Sequence, residues 1–408
     1  MVGGGLAGAT AIETLLKRGT EGRRIALLAA EPELPYHRPP LSKGYLLDRE
    51  ERAAVFVKPG AFYDAAGVTV FLQTAVTAVN PAAHTVTTAH DDVVHYGKLL
   101  LATGCTPRTL STPGRDLPGI YTLRTLQDCE GIKAALRRAK TAVVVGGSFI
   151  GMELAAAFAQ KGVRTTLLHR GATVFDKLDS PEASAFFAGY YQERGVRIRT
   201  EDEAIAFERA GGDRGPLRVT TKRGEILSTD LVAVGVGVTP TVAFLDGSGI
   251  TLDNGIVVNE YLETSVPDVS AAGDVANFFD PLYQRHRRIE HWDTAKQHGN
   301  VAGRNLAAAS ATERVPYDAV SYFFSDIFDL SFEYFGDATG TTRRIIRGSF
   351  PERAVTLFFL EGSTVRAAFT LGRPRERRAL IELVRRAEPL PDPNVLKDPA
   401  VPLLAETR

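Results

Sequence analysis

Along this chain, short runs of β-branched and aliphatic residues alternate with longer stretches whose apolar positions recur at three-to-four spacing, the signatures of buried parallel strands and of helices. Two segments show strand, glycine turn and helix in that order. The first is Val2-Gly3-Gly4-Gly5-Leu6-Ala7-Gly8, followed by helical spacing over 9–18 and an apolar run at 25–29. The second starts at Thr141-Ala142-Val143-Val144-Val145, turns through 146–151, continues as a helix over 152–161 and returns as a strand at 165–168. The chain therefore carries the same unit twice. The run at 99–104 closes the first region, 230–238 closes the second, and 269–273 brings back the character of the first. This order predicts an α/β protein with one nucleotide-type domain inserted in another. From about Tyr322 the pattern changes to aromatic strand-like pieces and an arginine-rich helix, which predicts a C-terminal α+β domain. The expected boundaries are 1–112 with 239–320, 113–238, and 321–408.

Composition fits this picture and removes some alternatives. A length of 408 residues calls for about two or three cores, and 44% apolar with 24% charged side chains is ordinary for a globular protein. The 48 basic and 48 acidic residues cancel, so no bulk charge draws the chain to nucleic acid or to an anionic membrane. No stretch is apolar for long enough to span a bilayer, and the first residues do not resemble a secretion signal, so a cytoplasmic protein is expected. Cys105 and Cys129 are too far apart for a redox or zinc motif, which predicts two free thiols and no metal.

Gly3-x-Gly5-x-x-Gly8 makes a tight strand-to-helix turn in which missing side chains let a pyrophosphate lie on backbone amides at a helix N-terminus. Glu31, ending the next strand, stands where a carboxylate accepts hydrogen bonds from a ribose diol. The second turn, Gly146-Gly147-Ser148-Phe149-Ile150-Gly151, has Ser148 in the middle glycine's place. Its next strand ends Leu167-Leu168-His169-Arg170 with no carboxylate, so Arg170, helped by His169, is expected to favour the 2′-phosphate of NADPH. The alternative is an arginine that simply leaves the strand into solvent. Only Met1 and Val2 precede Gly3, whereas a central strand has about five residues, so that strand is expected to pair loosely and to weaken cofactor binding.

Two such folds, with Pro35-Tyr36-His37-Arg38-Pro39-Pro40-Leu41-Ser42-Lys43 after the first turn, resemble the ferredoxin reductase group of the FAD-dependent pyridine nucleotide-disulfide oxidoreductases. Putidaredoxin, rubredoxin and dioxygenase reductases and apoptosis-inducing-factor-like flavoproteins make up that group. Matching segments are Leu101-Ala102-Thr103-Gly104-Cys105-Thr106-Pro107-Arg108, Leu123-Arg124-Thr125, Phe149-Ile150-Gly151-Met152-Glu153, Ala271-Ala272-Gly273-Asp274 and Glu290-His291-Trp292. The Gly-x-Ser turn and Tyr322-Phe323-Phe324-Ser325-Asp326 look as much like the apoptosis-inducing-factor-like and monodehydroascorbate-reductase-like branches as like the ferredoxin ones. The resemblance implies two Rossmann-like domains in glutathione-reductase-like order, FAD as cofactor and NAD(P)H as donor.

Carried over by residue, the resemblance sets Arg38 and Lys43 beside FAD, with Lys43 near the reactive edge of the isoalloxazine, where a cation stabilises developing negative charge. Glu153 would meet Lys43 across the nicotinamide pocket. FAD contacts are also implied for Leu6, Ala7, Val76 through its backbone, Ala102, Thr103, Gly104, Arg124, Gly273, Asp274, His291, Trp292 and Phe324, and coenzyme contacts for 146–151 and Gly235. The bland alternatives are a surface Lys43, a helix-face Glu153, a helix-capping Asp274 and a core Trp292.

Ser42-Lys43 fills the place where disulfide- and peroxide-reducing relatives carry a cysteine, which argues against reduction of disulfides or peroxide by cysteine chemistry. Direct flavin chemistry remains: hydride passes from nicotinamide to flavin, then electrons to an external acceptor. The expected acceptor is a ferredoxin- or rubredoxin-type iron–sulfur protein, met by a monomer or homodimer and steered by Arg285, Arg287, Arg288, Arg373, Arg375, Arg377 and Arg378. A quinone or ascorbate radical is the alternative acceptor, and a flavin redox sensor the alternative of another class.

Overall fold

The computed structural model describes residues 1–211 and 215–404. The chain forms two compact units, one from 1–37, 52–106 and 238–322, the other from 38–51, 107–237 and 323 onward.

The first unit is built on parallel pairs. Thr69–Phe71 pairs with Ala26–Leu28, Val269–Ala271 pairs with Leu99–Leu101, and Val2 joins the pairs by bridging Leu28 on one side and Leu101 on the other. The loose pairing expected of Met1 and Val2 is not found. The Val2 amide donates to Leu100 at 2.9 Å, its carbonyl accepts from Ala102 at 2.8 Å, and the Met1 carbonyl accepts from Leu28 at 2.9 Å. Helix Leu6–Lys17 packs on helix Trp292–Ala307, which presents small residues at the crossing. A Cβ on Gly299 would reach the Ala7 carbonyl oxygen at 2.5 Å, and one on Gly303 the Ala11 oxygen at 2.8 Å. Val2, Leu28, Leu100, Val258, Ala271 and Phe278 belong to the buried cluster beneath these helices.

The second unit has a five-stranded parallel sheet in the order Arg197–Arg199, Arg164–Leu168, Thr141–Val145, Leu231–Val234, Ile120–Thr122. Central strands of such a sheet are buried on both faces, and Ala142 to Val145 and Leu231 to Val234 are all buried. Helices Leu126–Leu136, Phe149–Gln160 and Pro181–Glu193 belong to the same unit, the first closed by a capping box between Thr125 and Asp128. The aromatic C-terminal pieces are a five-stranded antiparallel sheet in the order Tyr322–Ile327, Leu330–Gly336, Thr364–Leu371, Ala354–Glu361, Arg343–Ser349. Helix Arg377–Arg386 covers it with Leu380, Leu383 and Val384.

Candidate functional site

In the first unit the glycine turn has one conformational requirement and one opening. Gly3 sits at φ +116°, and a Cβ there would fall on the carbonyl of Ala102. A Cβ on Gly8 would lie 2.6 Å from the Gly3 oxygen, so that glycine lets helix approach strand. At Gly5, the N-cap of helix Leu6–Lys17, an added Cβ meets nothing within 4 Å. Internal packing therefore does not demand glycine at Gly5, whereas a ligand lying on the helix N-terminus would. The turn fits a pyrophosphate. Glu31, half-buried, accepts a hydrogen bond from the Tyr36 hydroxyl, and Leu6 and Ala7 form the first helical turn.

Other residues implied for the flavin lie on the same unit. The Thr103 hydroxyl donates to the Thr241 carbonyl at 2.9 Å, and Gly104 accepts from the Thr241 amide. Val76 opens a bulged strand opposite Thr88, and His291 is the N-cap residue of the helix that starts at Trp292. Trp292 Nε1 donates to His37 Nδ1 at 3.0 Å. Gly273 and Asp274 occupy a short 3-10 turn, Gly273–Val275, so the alternative of Asp274 as a helix cap does not hold. The Gly273 amide donates to Nδ1 of His298 at 3.2 Å. The His298 ring is fully buried between Phe278 and Tyr317, with centroids 4.8 and 4.4 Å away, and burial pushes its pKa down to about 3. Sequence reading assigned no histidine this role.

The second unit repeats the turn with different filling. Gly146 sits at φ +120°, where a Cβ would fall on the Gly235 carbonyl, which explains the pairing of these glycines. A Cβ on Gly151 would fall on the Gly146 carbonyl, as Gly8 does on Gly3. Ser148 is the N-cap residue of helix Phe149–Gln160, yet its hydroxyl makes no capping bond, and Ile150 is exposed. His169, expected to help Arg170, is buried. Its ring is buried under the turn, with Nδ1 accepting from the Gly147 amide at 3.1 Å and a Cβ on Gly171 closing to 2.6 Å from Nε2. Burial lowers the His169 pKa, so the ring is a neutral prop. Arg170 is exposed.

Lys43 and Glu153 meet within this unit. Lys43 follows the short 3-10 helix Pro39–Ser42, and its Nζ lies 2.6 Å from Glu153 Oε1, with Glu153 only 5% exposed. The Ser42 hydroxyl donates to Glu153 Oε2 at 2.5 Å, and the Ser325 hydroxyl donates to Oε1. A surface Lys43 and a helix-face Glu153 are thereby ruled out. The segment 38–51 is pinned nearby: Arg38 donates to the Arg124 carbonyl, Tyr45 to Glu130, and Asp48 takes Lys133 and Lys161, which hold its pKa down to about 2. Phe324 lies half-buried on strand Tyr322–Ile327.

Both cysteines are free and buried; Cys129 donates to the Leu41 carbonyl, and burial pushes its thiol up to about 12. The arginine set expected to steer a partner is largely spoken for. Arg287 pairs with buried Asp280 at 2.6 Å, Arg288 with Glu290 at 2.8 Å, Arg373 with Glu376 at 2.6 Å, and Arg377 with Glu333. Arg375 and Arg378 are exposed. Among the described residues, no helix is long and apolar enough to cross a membrane.

The profile of the pyridine nucleotide-disulphide oxidoreductases matches residues 1–299, and that of the reductase C-terminal domain matches 322–405. The chain is similar to putidaredoxin reductase of Pseudomonas putida, 34% identical over 99% of this chain and 95% of the relative. It is also similar to monodehydroascorbate reductase of Pisum sativum, 32% identical over 98% of this chain and 96% of the relative. Among solved structures, the covalent putidaredoxin reductase–putidaredoxin complex matches with a TM-score of 0.93 at 33% identity, covering 98% of this chain and 96% of that one.

Proposed function

The chain belongs to the pyridine nucleotide-disulphide oxidoreductase family, and from that premise we propose that it is the reductase of a ferredoxin-type electron carrier. It is an FAD-dependent NAD(P)H oxidoreductase. FAD supplies the chemistry that couples a two-electron hydride donor to acceptors taking one electron at a time.

The residues have separable tasks. The turn at 3–8, with Glu31 and the Gly273–Val275 turn, is assigned to binding FAD, and the turn at 146–151, with Arg170, to binding the coenzyme. These sites fall in the proposed domains 1–112 with 239–320 and 113–238. Lys43 supplies a fixed cation at the reacting edge, and Glu153 aims it. Both cysteines are buried and neither adjoins Lys43 in sequence, so no thiol relay is assigned. The cytoplasm is the proposed location.

The observation that carries this reading is the Lys43–Glu153 pair, because a cation paired with a buried carboxylate that two hydroxyls hold in place is prepared for charge that forms beside it. Stopped-flow mixing of the flavin-loaded protein with NADPH or NADH tests it. Fast bleaching followed by turnover with a ferredoxin, weakened by added salt, is expected. Very slow bleaching with a persistent charge-transfer band would instead mark a redox sensor. The similarity to a monodehydroascorbate reductase favours one further reading, a small radical acceptor, which salt would leave unaffected.

A further inference from the structure

Helix Phe149–Gln160 and strand Tyr322–Ile327 meet through matched periodicities. Phe149 and Glu153 are one helical turn apart and so share a face, while Phe323 and Ser325 are alternate strand residues and share the other. The rings of Phe149 and Phe323 pack edge to face at 4.6 Å, and one step along, the Ser325 hydroxyl donates to Glu153. Ser325 is 1% exposed, so the bond excludes water. Glu153 thus receives Lys43 and Ser325 on Oε1 and Ser42 on Oε2. A buried carboxylate engaged by these donors has little room to rotate, and Lys43, drawn to Oε1, has its position fixed by the same hydroxyls.

We propose that Ser325 is a positioning residue for hydride transfer, through which the C-terminal domain helps to set Lys43 at the reacting edge. This rests on the reading of Lys43 given above. The C-terminal domain is then a working part of the reductive half-reaction as well as a candidate partner surface. Ser42 does the same work from the side of segment 38–51, and the two hydroxyls act on one carboxylate from a 3-10 turn and a strand far apart in sequence. Without Ser325, Oε1 keeps only the ammonium, and Lys43 is free to swing with the carboxylate.

The test uses full-length, flavin-loaded protein and follows flavin reduction by NAD(P)H in the stopped flow. Ser325→Ala is expected to lower the limiting rate about tenfold with little change in coenzyme Kd, Ser325→Thr to recover most of it, and flavin content to stay level. In the background of Lys43→Met, Ser325→Ala is expected to add almost nothing, because both act through one pair. A wild-type rate in Ser325→Ala overturns the proposal, as does an undiminished loss when Lys43 is already absent. If the wild-type flavin is not reduced at all, the functional reading fails, whereas a fast wild type with an indifferent Ser325 leaves that reading standing.

Discussion

The two glycine turns are equivalent in their frame and opposite in their filling. In each, the first glycine donates to the end of the next strand, Gly3 to the Leu28 carbonyl and Gly146 to the Leu168 carbonyl, both at 2.8 Å. In each, the first glycine faces a neighbouring strand's carbonyl and the last faces the first. Behind the second glycine the units diverge: Gly4 meets the methyl of Ala29, and Gly147 meets the ring of His169. Three residues past the shared carbonyl stands Glu31 in one unit and Gly171 in the other. The frame is set by backbone crowding, which tolerates no variation, and the ligand chemistry is written in positions that crowding leaves free.

The largest effect should come from breaking the frame on one side at a time. Gly3→Ala and Gly146→Ala each force a Cβ onto a carbonyl at positive φ, at a cost of about 2–4 kcal/mol. Gly3→Ala should lose FAD, whereas Gly146→Ala should keep it and be reduced by NAD(P)H at least about a hundredfold more slowly. Loss of flavin from both, measured by absorbance, would erase the assignment of one ligand to each turn.

The next comparison concerns the buried imidazoles, each accepting from a glycine amide. His298 has a folded pKa of about 3 against an unfolded value near 6.5, so its contribution to stability is complete above about pH 6.5 and is lost as pH falls toward 3. Tyr317 and, around it, Asp280, Asp293 and Arg287 are the titratable or charged groups nearby. Denaturant titrations of His298→Asn should show a first unit less stable at neutral pH and markedly less sensitive to acid. An unchanged acid slope would place the sensitivity elsewhere.

Smaller effects test the free positions. Arg170→Ala should lower the NADPH-to-NADH ratio of kcat/KM about tenfold, and no change in that ratio would leave Arg170 a solvated residue. Ser148→Gly should move the coenzyme KM by less than about threefold, since the hydroxyl caps nothing. A larger shift would give Ser148 a direct contact.

The turns, the repeated unit and the Lys43–Glu153 pair were legible in sequence because glycine spacing records backbone crowding and the motifs record the pair. The filling was not. His169 ends a strand beside Arg170, and only the tertiary structure shows its ring turned in to Gly147. Ser325 lies in one of the matching segments, but its partner is 172 residues away, a distance at which no periodicity speaks. His298 carries no local signal, since a buried neutral imidazole looks like any other histidine in a helix. Charge counts do not reveal that Arg287 and Arg288 also hold Asp280 and Glu290. Met1 and Val2 looked too few for a strand, yet Val2 bonds to both neighbouring strands.

The chain passes from one unit to the other at 37/38, 51/52, 106/107, 237/238 and 322/323. On the ribosome, the unit that contains Val2 must wait until residue 322 has emerged, and the other until its last sheet is made. Neither can be excised as one continuous fragment. Each unit therefore waits on segments made far apart in synthesis, which argues for expressing the chain whole.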